Sequence, residues 1–279
     1  TLAPYPSRSS TAAGLTMAVP FLLVSIALSS VLFFLATLSS ANDNNVLLTG
    51  DVLGTDSQLY YPGATFVMQG DCNLVLYNKG RGFESNTHGE GVNCTLSLGD
   101  RGQLVITSSA GFTVWTSGVA GNAKTGKYAA VLRPDGEVAV YGPAVWSTPD
   151  FRFGAAGPNE AELAAIPMVD NLLFSSQVLD GGSNLATRDY TFVMKDDCNL
   201  ALIKGGTSVL WQSGTAGKGL NCFLRLDHLG QLAVVGDHKY KTLWTSKNVS
   251  SEGDYVLILQ ITGQAVVYGP VVWSTSQAN

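Results

Sequence analysis

The chain has 279 residues, enough for two ordinary domains. Charged residues are only 13% of it, against about 25% in typical globular proteins, and the formal net charge is −5. With no basic cluster, that balance argues against a nucleic-acid partner. Glycine is abundant, at 31 residues, and Val, Leu, Ser and Thr are frequent, a mixture that suits short strands and tight turns rather than helices.

In chain order, the first feature is an apolar run at residues 18–38, opening Ala18-Val19-Pro20-Phe21-Leu22 just after Met17. Ser39, Ser40 and Ala41 close it with the small residues a signal peptidase prefers. Met17 therefore reads as the start of translation, and residues 1–41 as upstream sequence plus a signal peptide. The run is long for a signal and lacks a basic residue ahead of it, so a membrane anchor is the alternative. Secretion agrees with four cysteines and with two glycosylation sequons, Asn93-Cys94-Thr95 and Asn248-Val249-Ser250. Asn93 abuts a cysteine, which makes Asn248 the expected acceptor.

From Asn42 onward the chain repeats itself. Phe66-Val67-Met68 with Asp71-Cys72-Asn73-Leu74 matches Phe192-Val193-Met194 with Asp197-Cys198-Asn199-Leu200, about 128 residues on. Likewise Tyr141-Gly142-Pro143 with Val145-Trp146-Ser147-Thr148 matches Tyr268-Gly269-Pro270 with Val272-Trp273-Ser274-Thr275. The long repeat defines two tandem domains, 42–150 and 169–279. Between them, residues 151–168 carry Gly, Ala, Pro and two acids without strand periodicity, and read as a linker.

A shorter repeat of about 30 residues occurs three times per domain. Its marker is an aromatic step followed by Ser or Thr, at Phe83, Trp115, Trp146, Trp211, Trp244 and Trp273. Such a unit cannot bury its own apolar face, whereas three around an axis can, with the indoles at the centre. Cys72 and Cys94 pair with the same spacing, nearly, as Cys198 and Cys222, so two disulfides are expected, Cys72–Cys94 and Cys198–Cys222. A metal site is the rival reading, but His88, His228 and His238 show no ligand spacing to the cysteines.

The most informative stretch is Gln69 to Tyr77. Read as an extended strand, Gln69, Asp71, Asn73, Val75 and Tyr77 share one face, and Met68, Cys72, Leu74 and Leu76 share the other. The first face lines up acceptors and donors for neighbouring hydroxyls plus one apolar spot, complementary to a sugar ring. Asp and Asn are depleted in strands, so their presence here calls for a reason.

This spelling, Gln-x-Asp-x-Asn-x-Val-x-Tyr, resembles the sugar-site motif of the monocot mannose-binding (bulb-type) lectins at all five positions. The resemblance covers residues 42–279 apart from the linker. It implies an all-β fold of two β-prism domains, each of three four-stranded sheets with pseudo-threefold symmetry. It also implies that Asp71 and Asn73 bond the O2 and O3 side of mannose, that Gln69 assists, that Tyr77 reaches O4, and that Val75 packs on the ring. Tandem members are often cut in the linker. Members also exchange a C-terminal strand, here the one ending Val271-Val272-Trp273-Ser274-Thr275-Ser276, between domains or protomers, which implies a homo- or hetero-oligomer.

The equivalent faces are incomplete. In the first domain, Leu98, Asp100, Gly102, Leu104 and Ile106 form the second set, and Arg133, Asp135, Glu137, Ala139 and Tyr141 the third. In the second domain, Lys195, Asp197, Asn199, Ala201 and Ile203 keep only Asp197 and Asn199, a weaker candidate site. Leu226, His228, Gly230, Leu232 and Val234 keep nothing, and Gln260, Thr262, Gln264, Val266 and Tyr268 lack both Asp and Asn.

No catalytic set stands out. Gly121 to Tyr128 nearly spells a phosphate loop, but Tyr128 replaces the required Ser or Thr and no helix follows. Neither a cofactor nor a metal is expected. The sequence reads as a secreted or vacuolar plant lectin for mannose-containing glycans, with a defence role implied by the resemblance. The alternative is a family member with decayed sugar sites that serves storage or protein interaction, as taste-modifying members do.

Overall fold

The computed structural model describes residue 1 and residues 45–118, 121, 123–149 and 171–278. The expected signal peptide lies outside the described residues, as do the rest of the expected upstream sequence after Thr1 and the linker at 151–168. Among the described residues no helix is long and apolar enough to cross a membrane.

Short runs of alternating or wholly apolar residues between Gly-, Asp- and Asn-rich turns give strands throughout. The first half forms β1 (Val46–Leu48), β2 (Val52–Leu53), β3 (Gln58–Tyr61), β4 (Ala64–Met68), β5 (Leu74–Tyr77) and β6 (Phe83–Glu84). It continues with β7 (Thr95–Leu98), β8 (Leu104–Thr107), β9 (Thr113–Thr116), β10 (Ala129–Leu132), β11 (Val138–Tyr141) and β12 (Ala144–Ser147). The second half repeats the series as β13 (Leu172–Phe174), β14 (Val178–Asp180), β15 (Asn184–Thr187), β16 (Tyr190–Met194), β17 (Leu200–Lys204) and β18 (Ser208–Gln212). It ends with β19 (Phe223–Leu226), β20 (Leu232–Gly236), β21 (Lys241–Thr245), β22 (Val256–Leu259), β23 (Ala265–Tyr268) and β24 (Val271–Ser274).

These strands make six four-stranded antiparallel sheets, three around each core, as the two-prism expectation requires. In the first half the orders are β3-β4-β5-β6, β2-β7-β8-β9 and β1-β10-β11-β24. In the second they are β15-β16-β17-β18, β14-β19-β20-β21 and β12-β23-β22-β13. The halves thus exchange their last strands: β24 pairs with β11, and β12 pairs with β23. Each exchanged strand follows a cis Gly-Pro bond, Gly142–Pro143 or Gly269–Pro270.

The exchange carries an aromatic residue across. Trp273 packs in the first core, 5.8 Å from Phe83 between ring centroids, and Phe83 lies 6.0 Å from Trp115. Trp146 packs in the second core, 5.9 Å from Trp211 and 6.1 Å from Trp244. Each sheet therefore supplies one ring to the centre of its prism, and in each prism one ring belongs to the other half. Edge-to-face contacts of this kind add to the area that the rings bury.

A third apolar cluster lies between the prisms. Val46, Ala129, Val131, Ala139 and Tyr141 pack against Val256, Ile258, Val266 and Tyr268, all buried. Strands β10, β11, β22 and β23 are buried at every position, so these two sheets are covered on both faces.

Trp273→Ala is expected to destabilise the first prism rather than the second, by about 3 kcal/mol. Hydrogen exchange should show faster opening in β3–β9 while β14–β21 keep their protection.

Candidate carbohydrate-binding site

Gln69 to Tyr77 does not form one extended strand. Strand β4 ends at Met68 and β5 begins at Leu74, and residues 69–73 turn between them. The Cys72 amide donates to Gln69 O at 3.0 Å, and the Gln69 amide donates to Asn73 O at 2.9 Å. Cys72 takes φ +71. The Asp71 carboxylate Oδ1 accepts the Asn73 amide at 2.9 Å, which closes an Asx turn. Turn chemistry therefore explains part of what looked anomalous in a strand.

The same turn explains why Asp recurs in faces that otherwise lost the motif. Asp197 Oδ1 accepts Asn199 N, and Asp135 Oδ1 accepts Glu137 N, both as Asp71 does. An Asp at this point of a repeat closes a turn, whether or not a sugar binds there.

Despite the turn, the five residues converge on the outer face of the β3–β6 sheet. The Gln69 amide Nε2 donates to the Tyr77 hydroxyl at 2.9 Å. Tyr77 is 54% exposed, Asp71 is exposed, and Gln69 and Val75 are half-buried. Asn73 is only 6% exposed. Its Oδ1 accepts from Ser85 Oγ at 3.1 Å and from the Thr87 amide at 3.2 Å, which leaves Nδ2 directed outward, 3.3 Å from Glu84 Oε2. Thr87 Oγ1 in turn donates to Cys72 O at 2.8 Å. The side of the turn opposite the site is fixed by the Cys72–Cys94 disulfide, and Cys198–Cys222 does the same in the second half, as the cysteine spacing predicted.

Sequence reasoning missed Glu84, Ser85 and Thr87. The signal for the hydroxyls was present, because a Ser or Thr follows the aromatic step in every repeat. Ser85, Ser117, Ser213 and Ser246 each accept the amide at the start of the neighbouring strand, as do Thr148 and Thr275 on the exchanged strands. These bonds clasp the fourth strand of a sheet to its third.

The other faces fail for identifiable reasons. In the second repeat of each half, the predicted register is wrong by one residue. Gly99 N bonds Gln103 O and Asp227 N bonds Gln231 O, as Gln69 N bonds Asn73 O. The outward sets are therefore Gly99, Arg101, Gln103, Val105 and Thr107, and Asp227, Leu229, Gln231, Ala233 and Val235. Leu98, Leu104 and Ile106 instead lie in the core, since a slip of one residue exchanges the two faces of a strand. Neither corrected set regains the Asp and Asn pair.

The third faces point into the prism interface. Ala139, Tyr141, Val266 and Tyr268 are all buried there. Burial pushes both tyrosine hydroxyls above their usual pKa, although the Gln260 bond partly offsets this at Tyr268. Arg133, in the place of Gln69, ion-pairs Asp135 and Glu137 and so occupies the acceptors that a sugar would need. The Lys195–Ile203 face keeps the turn, with Asp197 exposed and Asn199 held by Ser213 and Thr215 as Asn73 is held, but Ala201, in the place of Val75, is buried. Lys195, Ala201 and Ile203 also remove the Gln–Tyr pair and shrink the apolar spot.

This fold and this geometry agree with the relatives of the chain. No protein-family model matches it. It is 57% identical over 263 residues to mannose-specific lectin 2 of Crocus vernus, covering 91% of this chain and 97% of that one. It is 47% identical to mannose-specific lectin 2 of Colocasia esculenta over 234 residues, covering 83% of this chain and 85% of that one. The fetuin-binding agglutinin of Scilla campanulata, a two-domain lectin, superposes with TM-score 0.74 at 30% identity, over 82% of this chain and 99% of that structure. The chain belongs to the monocot mannose-specific, bulb-type lectins. It is accordingly a carbohydrate-binding protein and not an enzyme.

Replacing both Cys72 and Cys94 by Ser is expected to cost about 3 kcal/mol of stability, as loop closure over this spacing predicts. Because Cys72 sits in the turn of the candidate site, sugar affinity is expected to fall more than in the matching Cys198 and Cys222 double variant if that face holds the sugar. Thermal melts and glycan titration of the two variants would check this.

Proposed function

We propose that the chain binds mannose or high-mannose glycans at the outer face formed by Gln69, Asp71, Asn73, Val75 and Tyr77. In this reading Asp71 Oδ2 and Asn73 Nδ2 bond the O2 and O3 hydroxyls. Gln69 and Tyr77 act as a bonded pair toward O4, and Val75 lies under the ring carbons. The observation that carries the proposal is an open face with a fixed Asn73, a free carboxylate oxygen and an exposed phenol. Support also comes from the names of its relatives, which are mannose-specific lectins. Asp197 and Asn199 form a weaker second site.

One shallow site of this kind gives millimolar affinity, about −4 kcal/mol. Useful avidity then needs several sites on one particle. We infer that cleavage in the linker leaves two halves associated through β12 and β24, and that such units assemble further into an oligomer. Passage through the secretory pathway, to the exterior or the vacuole, and a defence role complete the proposal.

In that pathway Asn93 is the better glycan acceptor, the reverse of the sequence expectation. Asn93 is exposed, whereas the Asn248 amide Nδ2 donates to Gly230 O at 2.6 Å. Asn248 Oδ1 is also buried. Asn93→Gln should abolish a glycan mass increment on secreted protein, and Asn248→Gln should leave it unchanged.

Retention on immobilised mannan and elution by free mannose are expected. Asp71→Asn, which keeps the turn acceptor but removes the charge, should weaken binding at least about tenfold, since a charged hydrogen bond contributes about 1.5–3 kcal/mol. Asp197→Asn should change retention little. Flow-through of the wild-type protein would favour the storage or protein-interaction reading, to which the five incomplete faces lend weight.

A further inference from the structure

We infer that the Glu84 carboxylate is a specificity determinant of the Gln69–Tyr77 face, selecting neutral mannose residues against anionic ones such as phosphorylated mannose. The inference rests on the proposed function and names the ligand class of that same site.

Glu84 lies on the strand beside the site, directly opposite Val75, so the two side chains share the outer face. Its Oε2 is 3.3 Å from Asn73 Nδ2, the donor proposed to meet the sugar. Glu84 is exposed, and among the described residues neither Glu84 nor Asp71 takes part in an ion pair. Two carboxylates therefore flank Asn73, with no ion-pair partner among the described residues.

The second half of the chain provides the internal comparison. Gln212 occupies the place of Glu84, opposite Ala201 as Glu84 is opposite Val75. Its Oε1 accepts from Asn199 Nδ2 at 3.0 Å, the same bond without the charge. The structural task of this position, orienting the Asn amide, is thus met by a neutral amide. The charge is surplus to the fold. Lys195 further replaces Gln69, so the second face carries one carboxylate and one ammonium where the first carries two carboxylates.

A phosphate on a hexose held by Asn73 would lie well within the Debye length of Glu84 at low salt, about 30 Å at 0.01 M, and be screened at 1 M, where that length is about 3 Å. The carboxylate would repel it while a neutral hexose pays nothing. Discrimination then comes from a repulsive element added beside an otherwise unchanged contact set.

The test is titration of the protein with methyl α-mannoside and with mannose 6-phosphate, at about 0.01 M and 1 M salt. Wild type should prefer the neutral sugar by about fivefold or more at low salt, and the preference should shrink at high salt. Glu84→Gln should keep mannoside affinity within about twofold and narrow the low-salt preference by about threefold or more. Its thermal midpoint should stay at the wild-type value, because Gln212 already fills the same role. Mannoside binding with an unchanged preference in Glu84→Gln would overturn this inference alone. Binding of neither ligand by wild type would remove the proposed function and this inference with it.

Discussion

The packing of three aromatic rings at the centre of each prism is the contact on which the rest of the structure depends. No single repeat of this chain has enough apolar surface to form a core, so each sheet must turn its aromatic step inward against two others. Phe83, Trp115 and Trp273 meet in the first prism, and Trp146, Trp211 and Trp244 in the second. Because Trp273 and Trp146 each come from the other half, neither core is complete without strand exchange. Two sequence domains become two prisms that share their construction.

The exchange also fixes which faces are open to a ligand. It draws the third sheet of each prism against its counterpart, and their outward residues become a second apolar layer instead of a binding surface. Tyr141 and Tyr268, which in an open prism would stand where Tyr77 stands, are buried there. Loss of Asp and Asn from the set at Gln260–Tyr268, and the filling of its partner by Arg133, follow naturally from that burial. A buried face needs satisfied polar groups, not spare ones.

On the open β3–β6 face, the structural role and the proposed recognition role fall on different atoms of the same side chains. Asp71 spends one oxygen on its turn and leaves the other outward. Asn73 spends its carbonyl on Ser85 and Thr87 and leaves its amide nitrogen outward. Such division lets a small surface hold its groups rigidly, which lowers the ordering cost of binding. It also makes the Asp a poor diagnostic of function by itself, since turns at Asp135 and Asp197 use it in the same manner.

Local chemistry was legible in the sequence. The two-level repeat, the inward aromatic step, the disulfide pairs and the five residues of the Gln69–Tyr77 face all depend on spacing along the chain, and spacing is what a sequence records. Even there, the turn at residues 69–73 was read as strand, because a two-residue alternation survives across a short turn. The register of the second repeats was misread for the related reason that apolar and polar positions alternate in both candidate frames, and only the Gly99–Gln103 and Asp227–Gln231 hydrogen bonds choose between them. That the exchange runs between the two halves of one chain, which faces the prisms hide from solvent, and the approach of Glu84 to Asn73 were decided by tertiary structure alone. They depend on contacts between segments far apart in the chain, whose partners are selected by burying apolar surface and not by any local pattern.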